Sequence, residues 1–169
     1  FEIPVDAVDK PCETFPAPST LSGASHPKCR ETLSEAAAEA AGMVNAAKNP
    51  VVIAGIEILR RQLGGQVLQL IESVELPYAT TISSKSVLPE LHPQFIGLYQ
   101  GAFSRQSVRE QVESSDCILS LGVAMNDFNL GMFTSKLDPN RLINAQAGSV
   151  HIRHHSFDNV QLGEFLAAL

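Results

Sequence analysis

The turn that follows the first strongly apolar run, residues 51–54, is the first place where this sequence could hold a ligand. A dinucleotide-binding turn needs several glycines, in the pattern G-x-G-x-x-G, so that the backbone can approach a pyrophosphate. Only Gly55 is present here, and the branched Ile56 and the acidic Glu57 would crowd and repel a phosphate. The sequence therefore predicts an ordinary tight turn after Ala54, and it leaves residual nucleotide binding there open.

A second candidate site is the polar loop that follows another apolar run, residues 117–121. Asn126, Asp127 and Asn129 in this loop could present side chains and amide groups to a ligand. Asn and Asp also form ordinary turns by bonding to their own backbone, and this interpretation is favoured. Nucleotide binding after Leu121 is the second possibility that the sequence leaves open.

Three histidines lie close together near the end of the chain. The spacing of His151, His154 and His155 could place two imidazoles on one face of a helix, as in some zinc sites. The surrounding residues have the pattern of a strand, however, and no nearby cysteine or carboxylate completes a set of metal ligands. Surface histidines are therefore the preferred interpretation, and no metal site is predicted.

Cysteine and serine nucleophiles give no stronger signal. The cysteines Cys12, Cys29 and Cys117 are odd in number and form no C-x-x-C pair, which argues against a disulfide framework and a zinc site. Cys117 lies in an apolar run, where burial would raise its pKa and make the thiol unreactive. No serine stands in the G-x-S-x-G turn of a hydrolase. We accordingly assign no catalytic, cofactor-binding or metal-binding residue.

The elements that would position these residues alternate between helices and strands. Apolar residues at helical spacing predict helices over residues 32–47, 59–74 and 162–169, and a fourth helix that begins at residue 107. Capping boxes, Thr32 with Glu35 and Ser107 with Glu110, mark two of the helix starts. Apolar or β-branched runs predict strands at residues 51–54, 78–82, 95–99, 117–121, 141–144 and 149–152.

This order predicts an α/β fold, a three-layer sandwich with a mainly parallel, Rossmann-like sheet. Ligands in such folds usually lie beyond the carboxyl ends of the strands, where the two candidate loops are. Residues 1–30 contain five prolines at spacings that no helix tolerates, so an extended inter-domain arm is predicted there. Residues 31–169 are expected to form a single domain.

Composition excludes several functional classes. The 169 residues are 44% hydrophobic and 18% charged, which is typical of a globular domain. A net charge of −6 argues against binding to nucleic acid or to anionic lipid. No apolar run approaches the roughly 20 residues of a membrane-spanning helix, and the unpaired cysteines favour a cytoplasmic setting. The chain starts at Phe1, without an initiator Met or a leader, so we expect further residues upstream.

Three stretches together resemble one protein family. Residues 48–54, residues 87–101, and residues 112–122 with residues 127–133 are similar to the central domain of thiamine-diphosphate-dependent enzymes. The second and third stretches look most like the pyruvate and indolepyruvate decarboxylase branch. Residues 1–6 also resemble the segment where the first domain of these enzymes leads into the middle one.

The resemblance implies a fold similar to DHS-like NAD/FAD-binding domains and a parent enzyme of three domains. This chain would be the central structural and interface domain of a 2-oxo-acid decarboxylase, a lyase, and would be non-catalytic in isolation. The resemblance places thiamine diphosphate and Mg²⁺ on the pyrimidine-binding and diphosphate-binding domains of a homodimer or homotetramer. The alternative is the ADP- or FAD-binding central domain of a synthase or oxidase relative, which the single glycine at Gly55 disfavours.

The sequence also lacks several motifs that the complete enzymes of this family contain. It lacks the Gly-Asp-Gly and Asn-Asn motif that holds magnesium and the diphosphate, and the activating glutamate belongs to another domain. The histidine pair of the family's decarboxylases lies in the first domain, so His154 and His155 are not its counterpart. Yeast-type pyruvate decarboxylases place adjacent cysteines where Glu57 and Ile58 stand here, so their substrate activation is not carried over. The polar loop over residues 132–140 is expected to be mobile.

Overall fold

A computed structural model describes residues 30–169 together with Pro11. The predicted arm, apart from Pro11 and Arg30, and the cysteines Cys12 and Cys29 lie outside the described residues. Among the residues described, no helix is both long enough and apolar enough to cross a membrane. In chain order the elements are α1 (Arg30–Ala46), β1 (Pro50–Ala54), α2 (Ile56–Arg60), α3 (Gly64–Ser73), β2 (Tyr78–Thr80), β3 (Phe95–Leu98), α4 (Gln106–Ser114), β4 (Cys117–Leu121), β5 (Leu142–Ala145), β6 (Ser149–Ile152), β7 (His155–Asp158) and α5 (Leu162–Ala168).

The strands form one seven-stranded sheet in the order β3-β2-β1-β4-β5-β6-β7. Strands β3, β2, β1, β4 and β5 are parallel to one another, and β6 and β7 add an antiparallel hairpin at one edge. In the central register, Val52 of β1 lies between Tyr78 of β2 and Leu119 of β4. The predicted α/β fold with a mainly parallel sheet is confirmed.

Helices cover both faces of the sheet, which makes three layers. The larger core lies between the sheet and helices α1, α3 and α5, and includes Val52, Leu119, Ile143, Ala40, Ile71 and Phe165. The smaller core lies between the sheet and α4, and includes Val51, Ile53, Ile118, Val108 and Val112. Because the central strands are buried on both faces, β1 and β4 are mainly apolar and do not alternate, with Ser120 as the one polar residue of β4.

A carboxylate fastens the start of β1 to the start of β4. Asp116 accepts hydrogen bonds from the backbone N–H groups of Lys48, at 2.8 Å, and Asn49, at 2.9 Å. These two hydrogen bonds hold the pKa of the Asp116 carboxyl below its ordinary value. The contact joins the loop after α1 to the central strands, and so sets where β1 and β4 end at the opposite edge.

The helix predicted over residues 59–74 is wrong in one respect, because the structure has two helices there, α2 and α3. Gln62 takes a left-handed backbone conformation with a φ of 57°. The N–H of Leu63 donates to the carbonyl of Ile58 at 2.9 Å, and the N–H of Gln62 donates to the carbonyl of Leu59 at 3.1 Å. This pair of hydrogen bonds is the Schellman motif, which ends a helix. Apolar spacing did not reveal the break because Leu63 still packs into the core.

Both predicted capping boxes are also wrong. Thr32 lies inside α1, and Ser107 lies inside α4, so neither residue is the N-cap of its helix. The pattern T-x-x-E or S-x-x-E also occurs within a helix, so it does not by itself define the first residue. A capping box does occur between Thr81 and Ser84, in a short 3₁₀ turn that follows β2.

Strand β7 was not predicted, because its residues are polar and mostly exposed. It pairs antiparallel with β6, and the two strands are joined through Arg153, whose φ is 54°, and His154. Such a strand is stabilised by pairing with its neighbour and not by an apolar pattern of its own. Short polar strands are common at sheet edges, where they discourage pairing with other chains.

Thr80, the last residue of β2, is the basis of our first prediction. Its side chain is fully buried, and its hydroxyl has no hydrogen-bond partner among the residues that the structure describes. We expect Thr80→Val to raise the free energy of unfolding by about 1 kcal/mol, because burying an unpaired hydroxyl costs at least that much. The measurement is urea unfolding followed by circular dichroism.

The matched control for Thr80→Val is the same substitution at the next residue. Thr81 is equally buried, but its hydroxyl lies 2.6 Å from the hydroxyl of Ser84. Thr81→Val should therefore lower the free energy of unfolding, by about 1 kcal/mol. A loss of stability for both variants would show that the Thr80 hydroxyl has a partner after all.

Candidate functional site

The carboxyl edge of the sheet, between β1 and β4, is where a ligand site is expected in this topology. Strand β2, which follows β1 in the chain, lies on one side of β1 in the sheet, whereas β4 and β5 lie on its other side. Ligands of open α/β sheets bind in the crevice that such a reversal of strand order creates. Gly55 follows β1 and Gly122 follows β4, so these glycines mark the two sides of the crevice.

The two glycine turns touch, and their backbones fill the crevice. The N–H of Gly55 donates to the carbonyl of Leu121 at 2.8 Å, and the N–H of Glu57 donates to the carbonyl of Gly122 at 3.1 Å. A Cβ atom added to Gly55 would lie 2.1 Å from the carbonyl oxygen of Gly122. The amide that could face a phosphate at the start of α2 is thus bonded to the neighbouring loop. This geometry favours the predicted tight turn after Ala54 over a dinucleotide site.

Beside this contact lies a small pocket between the loops that follow β4 and β5. Its volume is about 270 Å³, and its lining includes Glu57, Val123, Gln146 and Ser149. Pockets that hold drug-sized ligands usually measure about 300–1,000 Å³. The carboxylate of Glu57 is engaged by Arg60 and Arg61, each at 3.1 Å. A nucleotide would therefore meet a narrow space whose one carboxylate is already paired with two arginines.

The polar loop after β4 uses its side chains to hold itself in place. Asn129 is buried, and its Oδ1 accepts from the hydroxyl of Ser83 at 2.8 Å while its Nδ2 donates to the carbonyl of Ala124 at 2.8 Å. Oδ1 of Asn126 accepts from the N–H of Asn129, and Oδ1 of Asp127 accepts from the next N–H along the chain. These side chains make turn-stabilising contacts, which favours the interpretation as an ordinary turn.

The three candidate histidines do not converge on one site. Nε2 of His151 lies 3.3 Å from the hydroxyl of Ser149, and Nδ1 of His155 lies 2.8 Å from a carboxylate oxygen of Glu39. His154 is exposed in the turn between β6 and β7. Within residues 30–169, no three histidine, cysteine, aspartate or glutamate side chains lie close enough together to hold a metal ion.

Cys117 is a buried residue of the sheet, as predicted. Burial raises the pKa of its thiol to about 11, and the neighbouring charge of Asp116 adds to this effect. Nearby serines are likewise used in the framework: the hydroxyl of Ser115 donates to the carbonyl of Asn49 at 2.6 Å, and that of Ser120 donates to Oδ1 of Asn144 at 3.2 Å. The prediction that Cys117 is a buried core residue is confirmed, and that its thiol is unreactive stays a prediction, which the raised pKa supports.

One partly buried polar cluster was missed in the sequence. The hydroxyl of Tyr99 lies 3.1 Å from a carboxylate oxygen of Glu113 in α4 and 2.7 Å from the hydroxyl of Ser135. Burial, with the charge of Glu113 close by, raises the pKa of Tyr99 to about 12. The same carboxylate accepts from the N–H of Lys136 at 3.2 Å. No spacing rule could find this cluster, because its members are far apart in the chain.

The same contacts involve the loop over residues 132–140. Tyr99 and Glu113 bond to its beginning, and within the loop Nδ2 and the N–H of Asn140 donate to the carboxylate of Asp138. The mobility of this loop stays a prediction. Its polar composition reflects hydrogen bonding within the fold.

The fold is that of an α/β domain with a mainly parallel sheet, and comparison with known families places it more narrowly. The sequence model of the family described as thiamine pyrophosphate enzyme, central domain, matches residues 37–167. The chain therefore belongs to the thiamine pyrophosphate enzymes, as their central domain. The resemblance inferred from residues 48–54, 87–101 and 112–133 is confirmed.

Individual relatives are pyruvate decarboxylases of yeasts. The chain is 33% identical over 144 residues to pyruvate decarboxylase of Candida albicans, and the aligned part is 85% of this chain and 25% of that protein. It is 35% identical over 120 residues to pyruvate decarboxylase of Candida glabrata, which covers 71% of this chain and 21% of that protein. With isozyme 2 of Saccharomyces cerevisiae it shares 30% identity over 162 residues, or 95% of this chain and 28% of that protein. The chain thus spans about a quarter of the length of these relatives.

Proposed function

We propose that this chain is the central structural and interface domain of a thiamine-diphosphate-dependent 2-oxo-acid decarboxylase, and that it is non-catalytic in isolation. The observation that carries this proposal is the closed crevice at the carboxyl edge of the sheet. Gly55 and Gly122 fill it with backbone, and Asn129 turns its polar groups toward the chain itself. An edge built in this way supports loops and does not receive a substrate.

The rest of the proposed enzyme lies on other domains. Thiamine diphosphate and Mg²⁺ would be bound by a pyrimidine-binding and a diphosphate-binding domain of a cytoplasmic homodimer or homotetramer. When bound, this cofactor supplies the electron sink for loss of carbon dioxide from a 2-oxo acid. The share of the yeast relatives that the chain spans, 21–28% in the three comparisons, supports a parent several times longer. Pyruvate and indolepyruvate are the first substrates to test.

The experiment compares the full-length protein with this chain. Each is incubated with thiamine diphosphate, Mg²⁺ and either pyruvate or indolepyruvate, and release of carbon dioxide is measured. We expect decarboxylation by the full-length protein and none by residues 1–169. Activity of residues 1–169 alone would refute the non-catalytic role. A full-length protein that decarboxylates neither compound nor any other 2-oxo acid would refute the parent activity.

Calorimetry tests the alternative of an ADP- or FAD-binding domain. The contact between Gly55 and Gly122 predicts no heat when ADP, FAD or coenzyme A is added to the full-length protein. Saturable binding that is lost on substitution of Gln146 or Ser149, which line the small pocket, would favour the synthase or oxidase relatives instead. The same titration with thiamine diphosphate shows whether the protein sample is competent to bind a ligand.

A further inference from the structure

Four large apolar side chains are exposed together at the carboxyl edge of the sheet. Phe103 follows β3, and Phe128, Met132 and Phe133 follow β4; their exposed fractions lie between 56% and 69%. Among the residues described, only two other large hydrophobic side chains are as exposed, Leu59 and Leu91, and these lie elsewhere along the chain. We refer to Phe103, Phe128, Met132 and Phe133 as the apolar patch.

The two loops that carry the apolar patch are joined by hydrogen bonds between side chains and backbone. Nε2 of Gln100 donates to the carbonyl of Phe128 at 2.8 Å, and the N–H of Ala102 donates to the hydroxyl of Thr134 at 2.8 Å. A Cβ atom on Gly131 would lie 3.1 Å from the ring of Phe103. The patch therefore belongs to one continuous surface, although its residues come from two parts of the sequence.

The apolar patch is also held in a costly conformation. Met132 and Phe133 have φ angles of 55° and 60°, in the left-handed region that large side chains avoid. The N–H of Met132 donates to the carbonyl of Asp127 at 2.7 Å, and the Tyr99 hydroxyl bonds to Ser135 two residues beyond Phe133. Strain that the surrounding contacts maintain is characteristic of functional segments. Here the strain turns two apolar side chains outward.

The size of the apolar patch indicates what covers it. The accessible surface of a large side chain is roughly 150–250 Å². The exposed fractions of the four side chains therefore amount to about 500 Å² of apolar surface in contact with water. A stable dimer needs about 800 Å² from each partner. Contacts between domains of one polypeptide bury about 600–1,500 Å² in total, so about 500 Å² on one side is sufficient. A domain that is covalently attached also needs less area, because its effective concentration is high.

We propose that the apolar patch is the surface on which a neighbouring domain of the full-length protein docks, through an apolar, uncharged surface of its own. This proposal rests on the proposed function, because it takes the chain as the central part of a longer enzyme. The occupant lies outside residues 1–169, in keeping with the quarter of the yeast relatives that the chain spans. Docking removes about 500 Å² from water and so fixes how the neighbouring domain sits on this edge.

Hydroxyl-radical footprinting of the full-length protein tests the coverage. Leu91, which is fully exposed and lies outside the patch, is the internal reference. We expect Phe103, Phe128, Met132 and Phe133 to lose most of their labelling relative to Leu91, after each rate is normalised to unfolded protein. Labelling of the patch at the rate of Leu91 would overturn the proposal.

Variants show whether the patch itself causes the coverage. Met132→Asn with Phe133→Asn removes two apolar side chains, and Asn tolerates a positive φ, so the loop is preserved. In this double variant we expect the labelling of Phe103 and Phe128 to rise to that of an exposed residue. The matched control, Leu91→Asn, should leave their labelling unchanged. Equal labelling in the double variant and the wild type would contradict the proposal.

A photo-crosslinking amino acid in place of Phe128 identifies the occupant. A crosslink to residues outside this chain, within the same polypeptide, supports the proposal, whereas a crosslink to a second copy or to residues 1–29 overturns it.

Decarboxylase activity of the wild-type sample used for footprinting separates the docking proposal from the proposed function. An active protein with a fully labelled patch refutes the docking surface alone, and a protected patch in an inactive protein refutes the proposed function alone.

Discussion

Gly55→Ala is expected to lower the free energy of unfolding by about 3 kcal/mol, at the upper end of the cost of overpacking. The added Cβ would lie 2.1 Å from the carbonyl oxygen of Gly122 and 2.4 Å from Cα of Val123, and both atoms belong to backbone. Backbone cannot move aside as the end of a flexible side chain can. The φ of Gly55 is −107°, which alanine adopts freely, so the loss would be steric and not conformational. Urea unfolding measures it.

The matched control for this variant is Gly42→Ala, in the middle of α1. A Cβ atom on Gly42 meets nothing within 4 Å. Alanine is the better helix former, so this variant should gain about 0.5–1 kcal/mol. Unchanged stability of Gly55→Ala would mean that the two turns separate easily. The crevice could then open, and nucleotide binding would again deserve testing.

Asn129→Asp is expected to lower the free energy of unfolding by about 3 kcal/mol at neutral pH, since it places a charge in a buried site. Oδ1 of Asn129 accepts from Ser83, and that bond survives, but its Nδ2 donates to the carbonyl of Ala124 at 2.8 Å. A carboxylate there would face the carbonyl oxygen with no proton between them. Asn126→Asp is the matched control: its side chain is exposed and its Oδ1 only accepts, from the N–H of Asn129, so little change is expected.

The loss in Asn129→Asp should depend on pH in a defined direction. Burial and the facing carbonyl raise the pKa of the new carboxyl in the folded state above its unfolded value. The penalty is then complete above the folded pKa, shrinks as pH falls through it, and vanishes below the unfolded pKa. Unfolding of variant and wild type is compared at about pH 7 and about pH 4.5. A difference between them that grows toward low pH would refute this account of Asn129.

Much of the framework could be predicted because its determinants are local. Strands β1 and β4 are apolar runs in the sequence, and strands buried on both faces need such runs. The same reasoning failed at Gln62, where a Schellman turn divides one periodic stretch into two helices. It also failed at β7, which exists because β6 offers its edge. At Gln62 a local pair of backbone hydrogen bonds outweighed the apolar spacing, and at β7 pairing with a neighbouring strand replaced an apolar pattern.

The candidate site could be predicted only in part. The single glycine after Ala54 predicted a tight turn there, but the contact of this turn with Gly122 joins residues 67 positions apart. The cluster of Tyr99, Glu113 and Ser135 left no signal, since no periodicity connects a strand end, a helix and a loop. Such contacts arise only when the parallel strands bring their carboxyl ends to one edge.

By itself the sequence determined the α/β class, the order of the main elements and the family, since apolar runs, helical spacing and the stretches around residues 48–54 and 112–133 are properties of neighbouring residues. Only the tertiary structure decided how the loops at the carboxyl edge of the sheet are arranged. Packing of the turn at Gly55 against that at Gly122 closed the crevice, and hydrogen bonds between two distant loops gathered the apolar patch. The physical reason is that both outcomes depend on distances of a few ångströms between segments far apart in the chain, which residue patterns do not encode.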